Sequence, residues 1–340
     1  MRRRIEKVTR CVIKVLASAL LVHAICCCGA QPAFAQQAHL VGWGLNSFVL
    51  SNMPPVLTNV QATSARMDHC LLLLNSGRIL AWGNNIDQVA EVPAGLPRVS
   101  AIAAGCFHNL AVTENGSVVA WGQNREGQAT PPPGLSNVVA ISAGFGSSLA
   151  LTKDGHVFTW GNTQDDNGKP IQPPAGLSNV VAIASGYFHH LALKSNGSIV
   201  AWGVGAVNHQ DGLRVGQCIL PPEASNIVAI AAGGGHSMAL DRGGRVIVWG
   251  GHPALTSAIP SDLGKVTAIA CGQSHCLALK EGGEVAEWGI PQDVRIQARS
   301  GINVRNDWEA PKTLHNVSGV SAGRDFSIAI VRPPVMPVRR

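Results

Sequence analysis

Residues 105–124 read GCFHNLAVTENGSVVAWGQN. His108 follows Gly105 by three residues, and Asn115-Gly116 separates one alternating apolar run from a second run that ends at Trp121-Gly122. Alternation with a period of two indicates β-strands, and an Asn-Gly pair favours a tight hairpin because both residues tolerate positive φ. The stretch therefore predicts two antiparallel strands joined by a short turn.

The same pattern recurs along the chain. Trp-Gly dipeptides are separated by 39 to 47 residues and begin at positions 43, 82, 121, 160, 202, 249 and 288. Five histidines each precede their tryptophan by 13 residues, at positions 69, 108, 189, 236 and 275. Because the distance from His to Trp is constant, insertions fall after the Trp, as expected of a repeated structural unit with variable loops. A third apolar run, such as Val138 to Ile141, precedes each hairpin, and proline-rich connectors separate the units.

Three-stranded units at this spacing predict an all-β fold, a seven-bladed β-propeller. Residues 39–44 resemble an isolated third strand, and residues 317–332 supply two strands with no Trp-Gly after them. We expect the N-terminal strand to complete the C-terminal blade, because closure removes exposed sheet edges. A single domain over 36–340 is expected, with blades at about 60–83, 99–122, 138–161, 180–203, 227–250, 266–289, and 317–332 plus 39–44.

The first 35 residues have the pattern of an export signal. A basic segment precedes a short apolar run, and Ala33-Phe34-Ala35 fits a small-x-small cleavage site. Cleavage removes six basic and one acidic residue from totals of 26 and 20, which leaves a net charge of +1. A near-neutral chain lacks the basic surface of a nucleic-acid binder. We expect an exported monomer, in the periplasm, at the cell surface or outside the cell, without a membrane span in the mature chain.

The cysteines and histidines offer no metal or redox motif. The five cysteines beyond residue 35 form no CxxC pair, and we expect isolated small core residues, with disulfide pairing left open: Cys70, Cys106, Cys218, Cys271 and Cys276. Each repeat histidine would begin a strand in a different blade, and Ser147 and Phe326 occupy the same slot elsewhere. We therefore expect structural hydrogen bonds from the histidines, and no metal or cofactor.

The repeat phrase V-x-A-I-A-A-G-x-x-H-x-L-A-L-x-x-x-G-x-V-x-A-W-G resembles the regulator of chromosome condensation repeat, and the resemblance covers nearly all of 39–332. It implies a seven-bladed propeller. The short period and the export signal make the chain most similar to secreted bacterial members of that family, among them propellers that inhibit β-lactamases by protein–protein contact. The nuclear founder is an exchange factor for a small GTPase and binds chromatin, and export argues against that function here. Repeats indicate a fold and do not by themselves indicate a function.

The variable positions of the repeat are the candidate functional ones. Two residues separate the Gly and His slots, and we expect them to form the turns between the first and second strands (the A–B turns), all on one face at the channel mouth. The loops after Trp-Gly, at 84–87, 123–126, 204–220 and 290–316, should lie on that face too. Four of the seven Phe and Tyr residues beyond position 35 fall in these turns, in three consecutive blades. Clustered exposed aromatics are typical of interface anchors; the alternative is that the rings turn inward and plug the channel.

We predict a non-enzymatic protein-binding propeller, an inhibitor or an interaction scaffold. Its partner-binding residues are predicted to be Met67, Asp68, Phe107, Phe145, Tyr187, Phe188, Trp308, Arg324 and Asp325. The resemblance supports this assignment, because in the secreted inhibitor propellers the same repeat positions carry many contacts. The sequence contains no nucleophile elbow, HExxH or P-loop. A carbohydrate-binding, hydrolytic or lyase propeller that uses the polar residues at the channel mouth is the alternative, and a guanine-nucleotide exchange factor by family analogy is a weaker one.

Overall fold

The computed structural model describes residues 37–54, 57–162, 164, 171–205, 216–289 and 310–333. The predicted signal peptide, Trp308, and the greater part of the two long insertions lie outside the described residues. The predictions for them therefore stay predictions.

The described chain forms seven antiparallel sheets, six with three strands and one with four. The strands of the first four blades are β3 (Val60–Arg66), β4 (His69–Leu74), β5 (Ile79–Gly83), β6 (Val99–Ala104), β7 (His108–Thr113), β8 (Val118–Gly122), β9 (Val138–Ala143), β10 (Ser147–Thr152), β11 (Val157–Gly161), β12 (Val180–Ser185), β13 (His189–Lys194) and β14 (Ile199–Gly203). The remaining strands are β15 (Ile227–Ala232), β16 (His236–Asp241), β17 (Val246–Gly250), β18 (Val266–Cys271), β19 (His275–Lys280), β20 (Val285–Gly289), β21 (Val317–Ala322), β22 (Phe326–Val331), β1 (Gln37–Gly44) and β2 (Leu57–Thr58).

Each blade has its strands in the order A, B, C from the channel outwards. The A strands of neighbouring blades contact one another around a closed ring. In the seventh blade β1 takes the outer place and pairs with β22, with Leu40 opposite Ile330 and Trp43 opposite Ser327. The predicted all-β propeller and its closure by the N-terminal strand are confirmed.

Helices contribute little to the fold. The described residues contain two short α-helices, α1 (Ser47–Ser51) and α2 (Pro253–Ser257), and a 3-10 turn at Ile86–Gln88. None of the helices in the described part of the chain is long and apolar enough to cross a membrane.

The hydrophobic core is divided among the blade interfaces. Each apolar cluster combines side chains of two adjacent blades. In one of them, Leu71 of blade 1 packs with Ile102 and Ala111 of blade 2. The seven repeat tryptophans are all buried, and none is more than 7% exposed. The tryptophans are therefore part of the scaffold, as the repeat pattern predicts.

Glycine is required at two kinds of turn. Gly116, in the hairpin between strands B and C, has φ of +80°, as the Asn-Gly pair predicts. Gly122, after the repeat tryptophan, has φ of +96°, and a Cβ there would lie 2.8 Å from the Phe107 carbonyl oxygen. This close approach places the end of strand C against the A–B turn.

Candidate protein-binding face at the A–B turns

The A–B turns and the loops after Trp-Gly emerge on the same face of the ring. The Gln123 amide donates to the Phe107 carbonyl over 2.8 Å, and the Asn84 amide donates to the Asp68 carbonyl over 2.7 Å. Equivalent bonds join Asn162 to Gly146 and Val204 to Phe188. The predicted position beside the turns is thus observed for the first residues of the loops after blades 1 to 4.

Backbone hydrogen bonds connect successive A–B turns around the channel mouth. The Cys106 amide donates to Gly144 of the next blade, and the Arg324 amide donates to Met67 of blade 1. The bonds in between run from Phe145 to Tyr187, Tyr187 to Gly234, Gly234 to Gln273 and Gln273 to Gly323, over 3.0 to 3.3 Å. The turn residues that vary most in sequence are therefore held in a fixed arrangement by their backbones.

The four aromatic turn residues form one cluster. The ring centroids of Phe107 and Phe145 are 5.1 Å apart, and Phe145 lies 5.2 Å from Phe188 and 5.8 Å from Tyr187. All four side chains are half-buried, so each keeps part of its ring at the surface. The structure thus brings together the aromatic residues that the sequence singled out, across blades 2, 3 and 4.

Arg66, which the sequence analysis missed, closes the channel beneath this cluster. Its guanidinium donates to the carbonyls of Ser185 in blade 4 (2.8 Å) and Ala232 in blade 5 (3.1 Å), on the far side of the ring from blade 1. The guanidinium carbon lies 5.4 Å from the centroid of the Tyr187 ring, and the Tyr187 hydroxyl donates to Met67 Sδ over 3.0 Å. Burial raises the pKa of Tyr187 above its ordinary value.

The repeat pattern distinguishes Arg66 from the corresponding residues of the other blades. The other blades have glycine three residues before the start of strand B, and a Cβ at Gly105 would lie 2.7 Å from His108 Cε1. In blade 1 strand A extends by one residue, so that Arg66 pairs with His69 and Met67 takes φ of +44°. Arg66 is therefore recognisable in the sequence as the residue that replaces the glycine of the other repeats.

The two roles predicted for the aromatic turns, interface anchor and channel plug, are compatible with each other in this geometry. Tyr187 lies over Arg66 and reaches blade 1, so it contributes to the plug of the channel. Phe107 contacts Phe145 at the edge of the cluster and belongs to none of the buried apolar clusters between blades. The cluster is an internal support on its channel side and a surface on its outer side.

The polar residues predicted at the mouth also meet. Arg324 contacts Asp68 Oδ1 and Asp325 Oδ2, both over 3.1 Å, and Asn46 donates to Asp68 over 2.7 Å. Arg324 thus pairs with one carboxylate of blade 1 and with one of its own blade 7. This arrangement offers no paired general acid and base.

A shallow polar groove lies on the same face beside the aromatic cluster. Gln123 donates to Asp87 over 2.9 Å across the gap between the loops after blades 1 and 2, and Arg125 lines the same groove. Ile86, next to Asp87, is 61% exposed and is an apolar contact that the sequence analysis missed. Half-buried rings with a polar rim resemble the usual composition of protein interfaces.

The repeat histidines connect adjacent blades. His108 Nε2 lies 2.8 Å from Ser148 Oγ, and the Ser148 hydroxyl donates to the Gln128 carbonyl, which also accepts from the Trp160 indole. Because the serine proton is already donated, the histidine donates through Nε2. The same contact joins His69 to Asn109, His189 to Ser237 and His275 to Ser327. The prediction of structural hydrogen bonding is confirmed for these four histidines.

Burial keeps these histidines neutral. It lowers the pKa of His69 to about 4 and that of His108 and His275 to about 3, below the ordinary value of 6.5. A neutral imidazole fits its role as a single donor to a neutral partner.

Blade 5 departs from this pattern. Neither ring nitrogen of His236 has a hydrogen-bond partner among the described residues, although the ring is fully buried. Cys276 occupies the place of the accepting serine, and Cys271 lies opposite it in the A–B strand pair. The expectation of isolated cysteines is therefore wrong for Cys271 and Cys276, because strand pairing brings together residues that no CxxC spacing connects.

Comparison with known proteins agrees with the repeat pattern. Residues 99–128, 138–168, 180–208 and 227–252 match the regulator of chromosome condensation (RCC1) repeat. These four stretches carry RCC1 repeats. No curated protein is similar to the chain in sequence.

Several solved structures share the fold. Prp20p of Saccharomyces cerevisiae has a TM-score of 0.68 and 21% identity, over 88% of this chain and 92% of its own. Human WBSCR16 has a TM-score of 0.65 and 20% identity, over 88% of this chain and 100% of its own. The ectodomain of the receptor kinase CR4 of Physcomitrella patens has a TM-score of 0.59 and 22% identity, over 74% of this chain and 69% of its own. At these identities the likeness concerns the fold alone.

Proposed function

We propose that this chain is an exported, non-enzymatic propeller that binds a protein through its A–B turn face. The observation that carries the proposal is the cluster of Phe107, Phe145, Tyr187 and Phe188, four rings in mutual contact and partly exposed at one edge of the channel mouth. Large rings that are already fixed lose little conformational entropy on binding, which suits them to anchor a partner.

The fold supports a binding role. Prp20p of yeast binds Gsp1p and histones, and yeast RCC1 has been crystallised with Kap60 bound. These partners belong to those proteins, and nothing in the aromatic cluster selects any of them. A near-neutral mature chain favours a partner recognised by apolar contact rather than by a strongly charged surface.

The proposal is tested with a photocrosslinking residue in place of Phe107, in the protein recovered from the exported fraction with Gln36 at its N-terminus. One protein partner is expected to crosslink at this position, and Phe107→Ala is expected to reduce its recovery with the unmodified chain by at least about 10-fold, as for an interface anchor.

Phe158 provides the matched control. It is an exposed phenylalanine (41%) on outer strand β11, away from the A–B turns. A crosslinker at Phe158 should capture no partner, and Phe158→Ala should leave recovery unchanged. Equal capture at both positions, or equal recovery with Phe107→Ala and the unmodified chain, would show that the assigned face is wrong. Unchanged melting temperatures separate loss of binding from loss of folding.

A further inference from the structure

The interface between blades 5 and 6 differs in composition from the other blade interfaces. Where a histidine donates to the next blade, the accepting residue is Asn109, Ser148, Ser237 or Ser327. Opposite His236 the corresponding residue is Cys276. The imidazole is therefore placed against a thiol where the repeat elsewhere provides a hydroxyl or an amide.

Two more sulfur atoms occur at the same place. Cys271, at the end of strand A, replaces the alanine found at this position in five other blades, which are Ala65, Ala104, Ala143, Ala232 and Ala322. Met238, in strand B of blade 5, replaces the leucine of blades 1 to 4, which is Leu71, Leu110, Leu149 and Leu191. Blade 1 also has a cysteine, Cys70, at the position of Cys276, but only around His236 do all three positions carry sulfur.

The geometry brings these atoms within reach of a common centre. The ligand atoms of His236, Cys271 and Cys276 all lie within 4.8 Å of one another. Cys271 Sγ lies 3.7 Å from Met238 Sδ. His236, Met238 and Cys276 are completely buried, and both nitrogens of His236 are without a hydrogen-bond partner. An imidazole buried in this way normally costs free energy, and a bound ion would satisfy it.

We propose that His236, Cys271, Cys276 and Met238 form a buried site for one soft metal ion, Cu(I) in preference to Zn(II), which joins blade 5 to blade 6. Two thiolates, a thioether and an imidazole form a soft ligand set. Structural zinc sites usually have four Cys or His ligands, and this group offers three of them, with a thioether as the fourth ligand. The thioether is what favours Cu(I).

The site lies nearest to the surface at Cys271. Cys271 is 8% exposed, unlike its fully buried neighbours, and lies next to the A–B turn of blade 6. Binding would release the thiol protons, so affinity should rise with pH.

The test is a titration of the reduced, metal-free chain under anaerobic conditions. Cu(I) is supplied from a chromophoric Cu(I) chelator, and Zn(II) is titrated in parallel. One Cu(I) per chain is expected. Cys276→Ser and Cys271→Ala should each weaken Cu(I) binding by at least about 100-fold, since each removes a direct ligand. Met238→Leu should weaken binding of Cu(I) and leave binding of Zn(II) unchanged.

These variants restore residues that other blades carry, so the metal-free proteins should fold. Cys276→Ser also gives His236 the acceptor that His108 has in Ser148. Cys106→Ala, a buried cysteine of blade 2 outside the site, is the matched control and should bind Cu(I) like the original chain. The proposal fails if the original chain binds no Cu(I), if Cys276→Ser binds it equally well, or if mass spectrometry shows that Cys271 and Cys276 form a disulfide in the purified protein. Binding of Zn(II) alone would overturn the assignment of copper.

Discussion

Arg66 stabilises contacts that are distant in the ring. Its two hydrogen bonds link blade 1 to blades 4 and 5, whose carbonyls at the inner ends of strand A face the channel. The guanidinium is 8% exposed, so water screens these bonds little. Strand pairing and blade-to-blade packing connect only neighbours, and Arg66 adds a connection across the diameter.

Arg66→Ala is therefore expected to destabilise the propeller by about 3 kcal/mol, because hydrogen bonds from a charged donor are worth about 1.5–3 kcal/mol each and two carbonyls lose their partner. Denaturant unfolding, with the slope compared between variants, measures this change.

Arg98→Ala is the matched control. Arg98 pairs with Glu114 at the surface, where both side chains are more than half exposed. An exposed ion pair contributes little to stability. Equal effects of the two substitutions would contradict the role assigned to Arg66.

At the residue scale the sequence predicted the structural role of a side chain better than the identity of its hydrogen-bond partner. The repeated His108 slot indicated a structural hydrogen bond, but not that the acceptor is Ser148, 40 residues later in the next blade. That pairing depends on how neighbouring blades stack, which spacing within one repeat does not determine. Arg66 could have been noticed because it breaks the glycine slot, yet its partners across the ring could not have been named.

At the scale of the element, β1 is the strand that closes the ring. Its residues Ala38, Leu40 and Trp43 are buried against blades 1, 6 and 7, and its backbone pairs with β22 from His39 to Gly44. Without β1, strand β22 would present an unpaired, apolar edge, which favours aggregation.

A chain shortened to begin at Leu57 is expected to aggregate or to melt well below the full chain, and a synthetic peptide of residues 37–54 is expected to restore a soluble monomer. Light scattering and thermal unfolding measure both effects. The same peptide with Trp43→Ala should restore much less of the soluble monomer, because loss of a buried tryptophan costs about 3–5 kcal/mol of stability. Restoration by both peptides alike would show that strand pairing alone closes the ring.

This closure could be predicted because both halves of the seventh blade have the repeat pattern. Residues 39–44 resemble a C strand without its hairpin, and 317–332 lack their Trp-Gly. The strand pair Cys271–Cys276 could not be recognised in the same way. The sequence places the two cysteines in one hairpin, but His236 and Met238 both come from β16 of the preceding blade.

At the scale of the whole molecule, the buried histidines make stability depend on pH. The pKa of His69 is about 4 and that of His108 and His275 about 3 in the folded chain, against 6.5 for an ordinary histidine. Between these values the unfolded chain binds protons that the folded chain does not. Stability is therefore complete above about pH 6.5 and is lost as the pH falls towards 4.

Each of these histidines is expected to lower the free energy of unfolding by about 2 kcal/mol at pH 5 relative to neutral pH, because one pKa unit corresponds to about 1.4 kcal/mol. Denaturant unfolding between pH 4 and 8 measures the slope. His108→Ser, which introduces the residue that blade 3 has at this slot, should make the slope shallower by up to one proton.

The exposed His156→Ser serves as the matched control for that slope, since its ring lies at the surface beside Asp154. A slope that does not change with His108→Ser would mean that this histidine is not held neutral by burial.

The contacts between repeats restrict which segments can be duplicated or exchanged during the evolution of such a ring. Four of the repeat histidines donate to a residue of the following repeat, so each of these junctions has one half in one repeat and the other half in the next. Duplicating or exchanging a segment cut immediately before strand A would separate the two halves. A segment that runs from one strand B, through the proline-rich connector, to the next strand B carries a complete junction within it. The unit that evolution can copy without loss is therefore offset from the blade seen in the fold.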